Sequence, residues 1–411
     1  MRPNKNIHAM QGRIPELDGM RGLAILLVLL LHYVADSRGG DLGSFLYRFK
    51  NLFRLGWSGV DLFLVLSGFL IGGILLDARD SPNYFRTFYL RRVHRILPIY
   101  YLWVSLFVVV KFSASRWLPS PITESAGAFH ALPFYYLFLQ NFLSQVHGTL
   151  GWYWLAVTWS LAIEEQFYLV APLLVRFLST RALVFTLVAT VIFAPLLRAL
   201  MYNHESAILE SKGYYYVLMP FRADALALGM LAAVAWKTPQ AQTLILSNRI
   251  IVKWALLLLS LGLPILLKWF PGPTSHLTAV AGYSWLAMFY VVLLLCVLAD
   301  REGILAQGMR WGFLMQLGGI SYCVYLIHLL INGACHALIL HSSPSIDSVQ
   351  GVAVTLLAAA LTWAIAKCSW RYFEGPLMRR GHRYSYWRSP APAQLVAVVL
   401  DPSNRGAEID A

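Results

Sequence analysis

Arg21 and His32, in the first apolar segment, have side chains that are costly to place in hydrocarbon and could do acid–base chemistry. Their eleven-residue spacing corresponds to about 1,100° of helical rotation and a rise of about 16 Å. Both side chains therefore lie on one face, with His32 beyond the middle of the bilayer. A neutral imidazole in a polar cavity there can act as a general base. The alternative is that the two residues only mark the two interfaces.

A cluster of basic residues precedes the third apolar segment and contains Arg91, Arg92, His94 and Arg95. Arg91 and Arg92 lie four and three positions before Arg95, so the three guanidinium groups can converge on one ligand. Guanidinium forks suit phosphate groups. The alternative is that these residues only anchor a membrane helix on its cytoplasmic side, which explains one or two arginines well.

Acidic residues occur inside other apolar segments. Asp61 lies about one turn into the second segment, and Glu164 and Glu165 lie about one turn into the fourth. An unpaired carboxylate inside a membrane is costly, so these acids need partners. For Glu164 and Glu165 the candidates are a histidine, an acceptor hydroxyl, or Arg222 and Asp224 of the sixth segment. Proton-coupled transport uses the same residue types, so the acids indicate a function but not by themselves an enzyme.

Three polar residues of the ninth segment, Ser321, Tyr325 and His328, follow a spacing of i, i+4, i+7 and share one helix face. This pattern predicts a hydrogen-bonded polar cavity within the membrane. A buried histidine whose ring is satisfied by its neighbours would give the same pattern.

The composition predicts an all-α, polytopic membrane protein. The 411 residues are 58% hydrophobic and 13% charged, against roughly 45–50% and 25% in soluble proteins. Ten apolar segments are long enough to span a bilayer, beginning near residues 19, 57, 96, 156, 182, 214, 251, 280, 311 and 350. An eleventh, aromatic stretch at 128–142 contains Pro133 and is short and polar, so it is predicted to be interfacial or re-entrant.

Ten spans put both termini on one side of the membrane. Most of the 33 lysines and arginines fall on that side, so the positive-inside rule places both termini in the cytoplasm. The net charge of +13 then reflects topology and not nucleic-acid binding. We expect a cytoplasmic tail at 1–13, a retained first helix within a transmembrane domain at 14–377, and a disordered cytoplasmic tail at 378–411.

The sequence lacks the motifs that are typical of several other kinds of functional site. The four cysteines have neither the spacing of a disulfide framework nor that of a zinc site. The sequence contains no phosphate-cradling glycine loop and no Gly-x-Ser-x-Gly elbow. We therefore expect no metal and no permanently bound cofactor.

Seven motifs follow one another between residues 14 and 377: ELDGMRGLA with its downstream histidine, GVDLFLVLSGFLIG, LRRVHRILPIYYL, WSLAIEEQFY, FRADALALG, SYCVYLIH and FEGP. In this order the chain resembles the acyltransferase-3 family. These are ten-helix bacterial membrane O-acyltransferases that modify surface polysaccharides, lipid-linked sugars or antibiotics. Another membrane-bound O-acyltransferase family also uses one intramembrane histidine, but its motif order differs.

The resemblance implies that acyl-CoA, usually acetyl-CoA, binds from the cytoplasm and that its acyl group passes to a glycan hydroxyl outside the bacterial inner membrane. His32 would be catalytic and Arg21 its partner. Glu164 and Glu165 would orient the histidine or bind the acceptor. The predicted CoA phosphate ligands are Arg91, Arg92 and Arg95. The predicted supporting residues are Asp61, Ser67, Tyr168, Arg222, Asp224, Tyr325 and His328.

Some members of this family carry a C-terminal extracytoplasmic hydrolase-like domain. We expect this chain to work without one, either alone or with a separate extracytoplasmic partner protein. The acceptor stays open between an exopolysaccharide or O-antigen and a small molecule such as a macrolide. The main alternative from another class is a proton-coupled transporter or exporter. The arginine cluster and the lack of paired broken helices count against that class.

Overall fold

A computed structural model of the protein describes residues 14–40, 43–114, 131–146, 153–203, 214–269, 272–273 and 275–387. Within these ranges the regular structure is helical, and the β-type pairing is a single isolated bridge between Arg38 and Ser345. Eight of the described helices are long and apolar enough to cross a membrane. The predicted all-α, polytopic membrane fold is therefore confirmed, whereas the count of ten spans and the side of the termini stay predictions.

The helices follow one another along the whole described chain. Their bounds are α1 Pro15–Leu30, α2 Phe45–Asn51, α3 Gly59–Ala78, α4 Tyr84–Ala114, α5 Leu132–Tyr136, α6 Gln140–Val146, α7 Trp159–Phe177, α8 Thr180–Asn203, α9 Tyr214–Val217, α10 Ala223–Lys237, α11 Pro239–Ser247, α12 Arg249–Ser260, α13 Gly262–Trp269, α14 Tyr283–Ala299, α15 Ile304–Met309, α16 Gly312–Gly319, α17 Ser321–Leu340, α18 Val349–Ser369 and α19 Gly375–His382. Turns of π-helix at Leu31–Ala35, Thr278–Gly282 and Trp370–Glu374 extend α1, precede α14 and join α18 to α19.

Two helices that the sequence predicts as spans, α7 and α10, are not among the eight. In α7 the charged residues Glu164, Glu165 and Arg176 dilute the apolar run, and α10 has only 15 residues. Both helices bury much of their surface against their neighbours. Helices that other helices shield from lipid tolerate polar residues and short lengths, so whether α7 and α10 cross the membrane stays a prediction.

Close packing between α3 and α10 depends on two glycines that face each other. A Cβ atom built on Gly68 would lie 2.1 Å from the carbonyl oxygen of Leu226, and one built on Gly229 would lie 2.1 Å from that of Val65. Only a residue without a side chain allows backbones to approach this closely. The small-residue pattern of the second apolar segment therefore serves helix packing.

Replacing Gly68 with alanine is expected to destabilise the protein by about 1–3 kcal/mol, because the new methyl group must push α3 away from the backbone of α10. The measurement is the melting temperature of the detergent-purified protein. Gly319→Ala is the matched control, since a Cβ atom there meets nothing within 4 Å. Equal melting temperatures for the two variants would contradict this account of the α3–α10 contact.

The aromatic stretch predicted at 128–142 is described from residue 131 onward. It forms the short helices α5 and α6, separated by Phe138, whose φ of 56° is a left-handed conformation. The Gln166 side chain of α7 donates to the Phe138 carbonyl at 3.2 Å and to Asn141 Oδ1 at 3.1 Å. The described part is thus broken and anchored on α7, in agreement with the prediction that it does not form a full span.

The chain after α19 corrects the expectation of disorder from residue 378. Helix α19 continues to His382, and residues 383–387, called here the C-terminal segment, lie against α4. Arg91 Nε donates to the Tyr384 carbonyl at 2.7 Å, and Asn83 Nδ2 donates to the Ser385 carbonyl at 2.9 Å. The basic composition predicted a solvated tail, but these contacts to α4 order it. The tails at 1–13 and 388–411 lie outside the described residues.

Candidate active site

Most of the predicted site residues line one polar cavity of about 140 Å³ between α1, α3, α4, α7 and α17, called here the inner cavity. Its polar lining is Arg21, Ser67, Arg92, Arg95, Ser160, Glu164, Glu165, Tyr168, Ser321, Tyr322 and Tyr325. The structure thus brings together residues from five of the motifs that occur in order along the sequence. A cavity lined by cations, acids and hydroxyl groups can bind a polar ligand inside the membrane domain.

Hydrogen bonds and ion pairs position the charged groups of the inner cavity. The Tyr168 hydroxyl donates to Glu164 Oε2 at 3.0 Å, and the Arg92 guanidinium lies 5.7 Å from the centroid of the Tyr168 ring. At the start of α1, Arg21 forms an ion pair with Asp18 at 3.5 Å. The site therefore places Arg92 and a tyrosine-bonded acid on neighbouring walls of one cavity.

A second cavity of about 140 Å³, called here the arginine cavity, adjoins the inner cavity. Arg91, Arg92 and Arg95 of α4 form one wall, and Tyr386 of the C-terminal segment lies opposite. Arg92 and Arg95 line both cavities. The three arginines that the sequence predicts to converge do so, and their cavity lies next to the inner cavity.

A third cavity, of about 840 Å³, lies on the other side of the inner cavity and is called here the outer cavity. It contains His32, and its polar and aromatic lining is Asp36, Arg54, Trp57, Trp159, Tyr216 and Tyr325. Arg21 and His32, which the sequence places on one helix face, therefore line successive cavities rather than one shared pocket.

Val60 and Tyr325 line both the inner and the outer cavity and so form the wall between them. The Tyr325 hydroxyl donates to the Val157 carbonyl at 3.0 Å and lies 2.7 Å from Ser160 Oγ. These bonds hold the tyrosine ring across the gap between α17 and the start of α7. The three cavities form a line from the arginines to His32, interrupted by this wall.

His32 forms a hydrogen-bonded pair with His328, a residue of α17. His328 Nε2 lies 3.0 Å from His32 Nδ1, while His328 Nδ1 lies 2.8 Å from the Tyr325 carbonyl and 3.2 Å from the Val324 carbonyl. A carbonyl only accepts, so His328 Nδ1 must bear its proton and Nε2 must be the acceptor when the ring is neutral. His32 Nδ1 is then the donor, which leaves a lone pair on His32 Nε2.

The local backbone also sets the position of His32. The π-helical turn Leu31–Ala35 begins one residue before it, and such turns are frequent at functional sites. In the same turn, the Tyr33 hydroxyl donates to the His328 carbonyl at 3.1 Å and lies 2.9 Å from Thr362 Oγ1. Helices α1, α17 and α18 are tied together at the histidine pair, so the imidazole geometry is held by three elements.

Asp61, Arg222 and Asp224 were predicted as supporting residues, and in the described structure they form buried ion pairs instead of lining the three cavities. Arg222 binds Asp61 at 2.6 Å, and Arg198 binds Asp224 at 2.8 Å. The suggested pairing of Arg222 and Asp224 with the glutamates of α7 is therefore wrong. The close approach of α3 and α10 at their glycines places Asp61 opposite Arg222, and the glutamates face the inner cavity.

The outer cavity contains polar residues that sequence reasoning missed, notably Asp36 and Arg54. Burial raises the pKa of the Asp36 carboxyl above its ordinary value, while Arg54 and Lys50 act in the opposite direction. Asp36 lies four positions after His32 in the sequence, a spacing that places both on one helix face. That signal was available, whereas nothing in the sequence links Arg54 to His32.

The part of the chain that the structure describes contains no group of three His, Cys, Asp or Glu side chains placed to hold a metal ion. All four cysteines are described, and each is a free thiol.

Comparison with known proteins agrees with the order of these motifs. The acyltransferase-3 family model, described as an acyltransferase domain, matches residues 14–367. O-acetyltransferase OatA of Staphylococcus aureus (strain MRSA252) is 24% identical over 403 residues, covering 94% of this chain and 61% of the relative. YrhL of Bacillus subtilis (strain 168), provisionally named a peptidoglycan O-acetyltransferase, is 28% identical over 386 residues, covering 90% and 56%.

The chain thus spans about three fifths of the length of these relatives. No solved structure matches it. The family match extends over most of the chain and includes the residues of α1, α3, α4, α7 and α17 that line the inner cavity. The chain belongs to the acyltransferase-3 family.

Proposed function

We propose that the protein is a membrane O-acyltransferase that moves an acyl group, in the simplest case acetyl, from cytoplasmic acyl-CoA to a hydroxyl of a saccharide outside the inner membrane. The observation that supports this most directly is the line of three cavities running from an arginine cluster to His32. The name of the relative OatA, an O-acetyltransferase, points to acetyl as the acyl group.

The donor fits the cytoplasmic end of this line. CoA carries several phosphate charges at its nucleotide end and a slender chain with a thioester at the other. Arg91, Arg92 and Arg95 are suited to the phosphates because guanidinium groups bind phosphate oxygens in a fork geometry. The slender chain would then lie in the inner cavity, bringing the thioester to the wall formed by Val60 and Tyr325.

His32 supplies the base. In the proposed step, His32 Nε2 takes the proton of the acceptor hydroxyl while the hydroxyl oxygen attacks the thioester carbonyl. The bond between carbonyl carbon and sulfur breaks and the CoA thiolate leaves. The proton held by the His32 imidazolium is then given up to the thiolate, which yields free CoA and restores the neutral ring. Hydroxyl groups and arginines of the inner cavity hold the donor chain, and Glu164 with Tyr168 fixes one of its walls.

A saccharide fits the outer cavity. Its volume of about 840 Å³ is within the range of small-molecule sites. Trp57, Trp159 and Tyr216 offer flat apolar faces for sugar rings, and Asp36 and Arg54 offer hydrogen bonds to hydroxyl groups. A transporter would also need a substrate chamber, so it is the arginine cavity, suited to the phosphates of an acyl donor, that favours an acyltransferase over the transporter alternative.

The test is transfer of label from radioactive acetyl-CoA, added to inside-out membrane vesicles, into glycan or lipid-linked saccharide. Wild type is compared with Arg92→Gln/Arg95→Gln, which should raise the KM for acetyl-CoA by about tenfold or more, since charge-assisted hydrogen bonds are lost. Arg86→Gln is the matched control, because Arg86 is an exposed residue of the same helix. Absence of labelled saccharide with wild type would contradict the proposal.

A further inference from the structure

The arginine cavity contains two buried hydrogen-bond donors that have no partner within the described residues. They are Arg92 Nε and the Tyr386 hydroxyl, and both residues line this cavity. Buried polar atoms in folded proteins are almost always paired, so two unpaired donors on residues that line one cavity indicate a missing ligand that accepts hydrogen bonds. The Tyr386 hydroxyl is outside every motif used to identify the family.

The basic residues around these donors indicate the charge of the ligand. Arg91, Arg92, Arg95 and His382 line the cavity, and no acidic residue is among its described lining residues. The remaining lining residues are Ile74, Phe88 and Met378. Guanidinium and phenol donors converging in an acid-free cavity suit an anion with several acceptor oxygens, which is the chemistry of a phosphate group.

The wall that Tyr386 forms is held in place by specific bonds. Arg91 Nε donates to the Tyr384 carbonyl at 2.7 Å, and the Arg91 guanidinium lies 5.0 Å from the centroid of the Tyr386 ring. The Trp387 amide donates to Asn83 Oδ1 at 2.9 Å. The C-terminal segment is thereby fixed over the arginines, although it follows the family-matched residues 14–367.

We infer that the C-terminal segment completes a phosphate site with α4, in which the Tyr386 hydroxyl and Arg92 donate to a phosphate of the donor's nucleotide end. This inference rests on the proposed function. The arginine cavity shares Ile74, Arg92 and Arg95 with the inner cavity. A ligand with phosphates at one end and a slender chain at the other can therefore occupy both. An anionic lipid headgroup has the same phosphate chemistry, and the experiment separates the two sources.

The experiment compares full-length wild type with Tyr386→Phe, which removes only the hydroxyl and keeps the ring beside Arg91. The dissociation constant for CoA, measured by titration calorimetry in a neutral detergent, should rise about tenfold. The kcat/KM for transfer from acetyl-CoA should fall by a similar factor. Transfer from S-acetyl-pantetheine, which lacks phosphates, should be equal in both proteins. Tyr372→Phe is the matched control, since Tyr372 is 72% exposed and contributes to none of the three cavities.

The outcomes separate this inference from the proposed function. Equal CoA affinity in Tyr386→Phe and an active wild type would overturn the inference alone. So would a variant that binds CoA normally but loses a response to phosphatidylglycerol in nanodiscs, because the cavity would then hold a lipid headgroup. A wild type that transfers nothing from acetyl-CoA would overturn the proposed function itself. A loss equal for acetyl-CoA and S-acetyl-pantetheine would show a structural role for Tyr386 and would also overturn the inference.

Discussion

Replacing His32 with glutamine is expected to lower acyl transfer by a factor of about 10²–10⁴, the range that a positioned general base contributes. The dissociation constant for CoA should not change. The physical reason is that His32 lines the outer cavity, whereas the donor phosphates are proposed to lie beyond the Val60–Tyr325 wall among the arginines of α4. The measurement combines kcat from the vesicle assay with CoA affinity of the purified variant.

The control for this variant is His341→Asn. His341 is an exposed histidine directly after α17, and its φ of 50° is a conformation that asparagine tolerates. Full activity of His341→Asn, with equal expression of both variants, would show that the loss is specific to the imidazole in the outer cavity. If His32→Gln transferred acetyl at the wild-type rate, His32 would not be the base, and the proposed step would fail.

The second large loss of activity is expected on replacing His328 with leucine. His328 is fully buried and contacts His32, so its proposed role is to position that ring. Leucine at this position removes the side-chain acceptor of the His32 Nδ1 proton and leaves the ring with its hydrogen bond to the Val28 backbone, so the His32 ring is held less firmly in one tautomer and orientation. We expect a loss of about 10–100-fold in kcat, as for other residues that orient a functional histidine. His328→Gln should recover part of the activity, because its side-chain oxygen can accept the same hydrogen bond.

A purely structural role for His328 would give a different result. The ¹⁵N chemical shifts of labelled His32 report which ring nitrogen is protonated. They should show Nδ1–H in the wild type and a mixture in His328→Leu. The CoA dissociation constant should be equal in both proteins, because the arginine cavity is distant from this pair. An unchanged His32 tautomer together with lost activity would contradict the positioning role.

The long apolar helices were predictable because length and hydropathy decide membrane insertion. The same rule does not decide whether α10 spans the membrane, because this helix has only 15 residues and is mostly buried. That Glu164 must have a polar environment was predictable, since an unpaired carboxylate in lipid is costly. The geometry of the inner cavity was not, because helical spacing relates residues within one helix and gives no information on which helices pack together.

The contact between His32 and His328 illustrates this limit of sequence reasoning. Each residue was a candidate by itself, but 296 positions separate them, and only the packing of α1 against α17 brings their rings together. Tyr386 was missed for another reason. Its segment is basic and polar, which predicts a solvated chain, and its order comes from contacts to Arg91 of α4 and to Asn83 directly before that helix.

The thin wall of Val60 and Tyr325 also has an electrical consequence. With water in the cavities on both sides, the membrane voltage would fall mainly across this wall and not evenly over the roughly 30 Å of hydrocarbon. Each elementary charge that crossed it would meet about 2.3 kcal/mol of work per 100 mV. Under the proposed function the transferred acetyl group is neutral and would pass without that work, while the phosphate charges of CoA would stay among the arginines. The two side chains of this wall would then let a neutral acyl group pass and hold back ions.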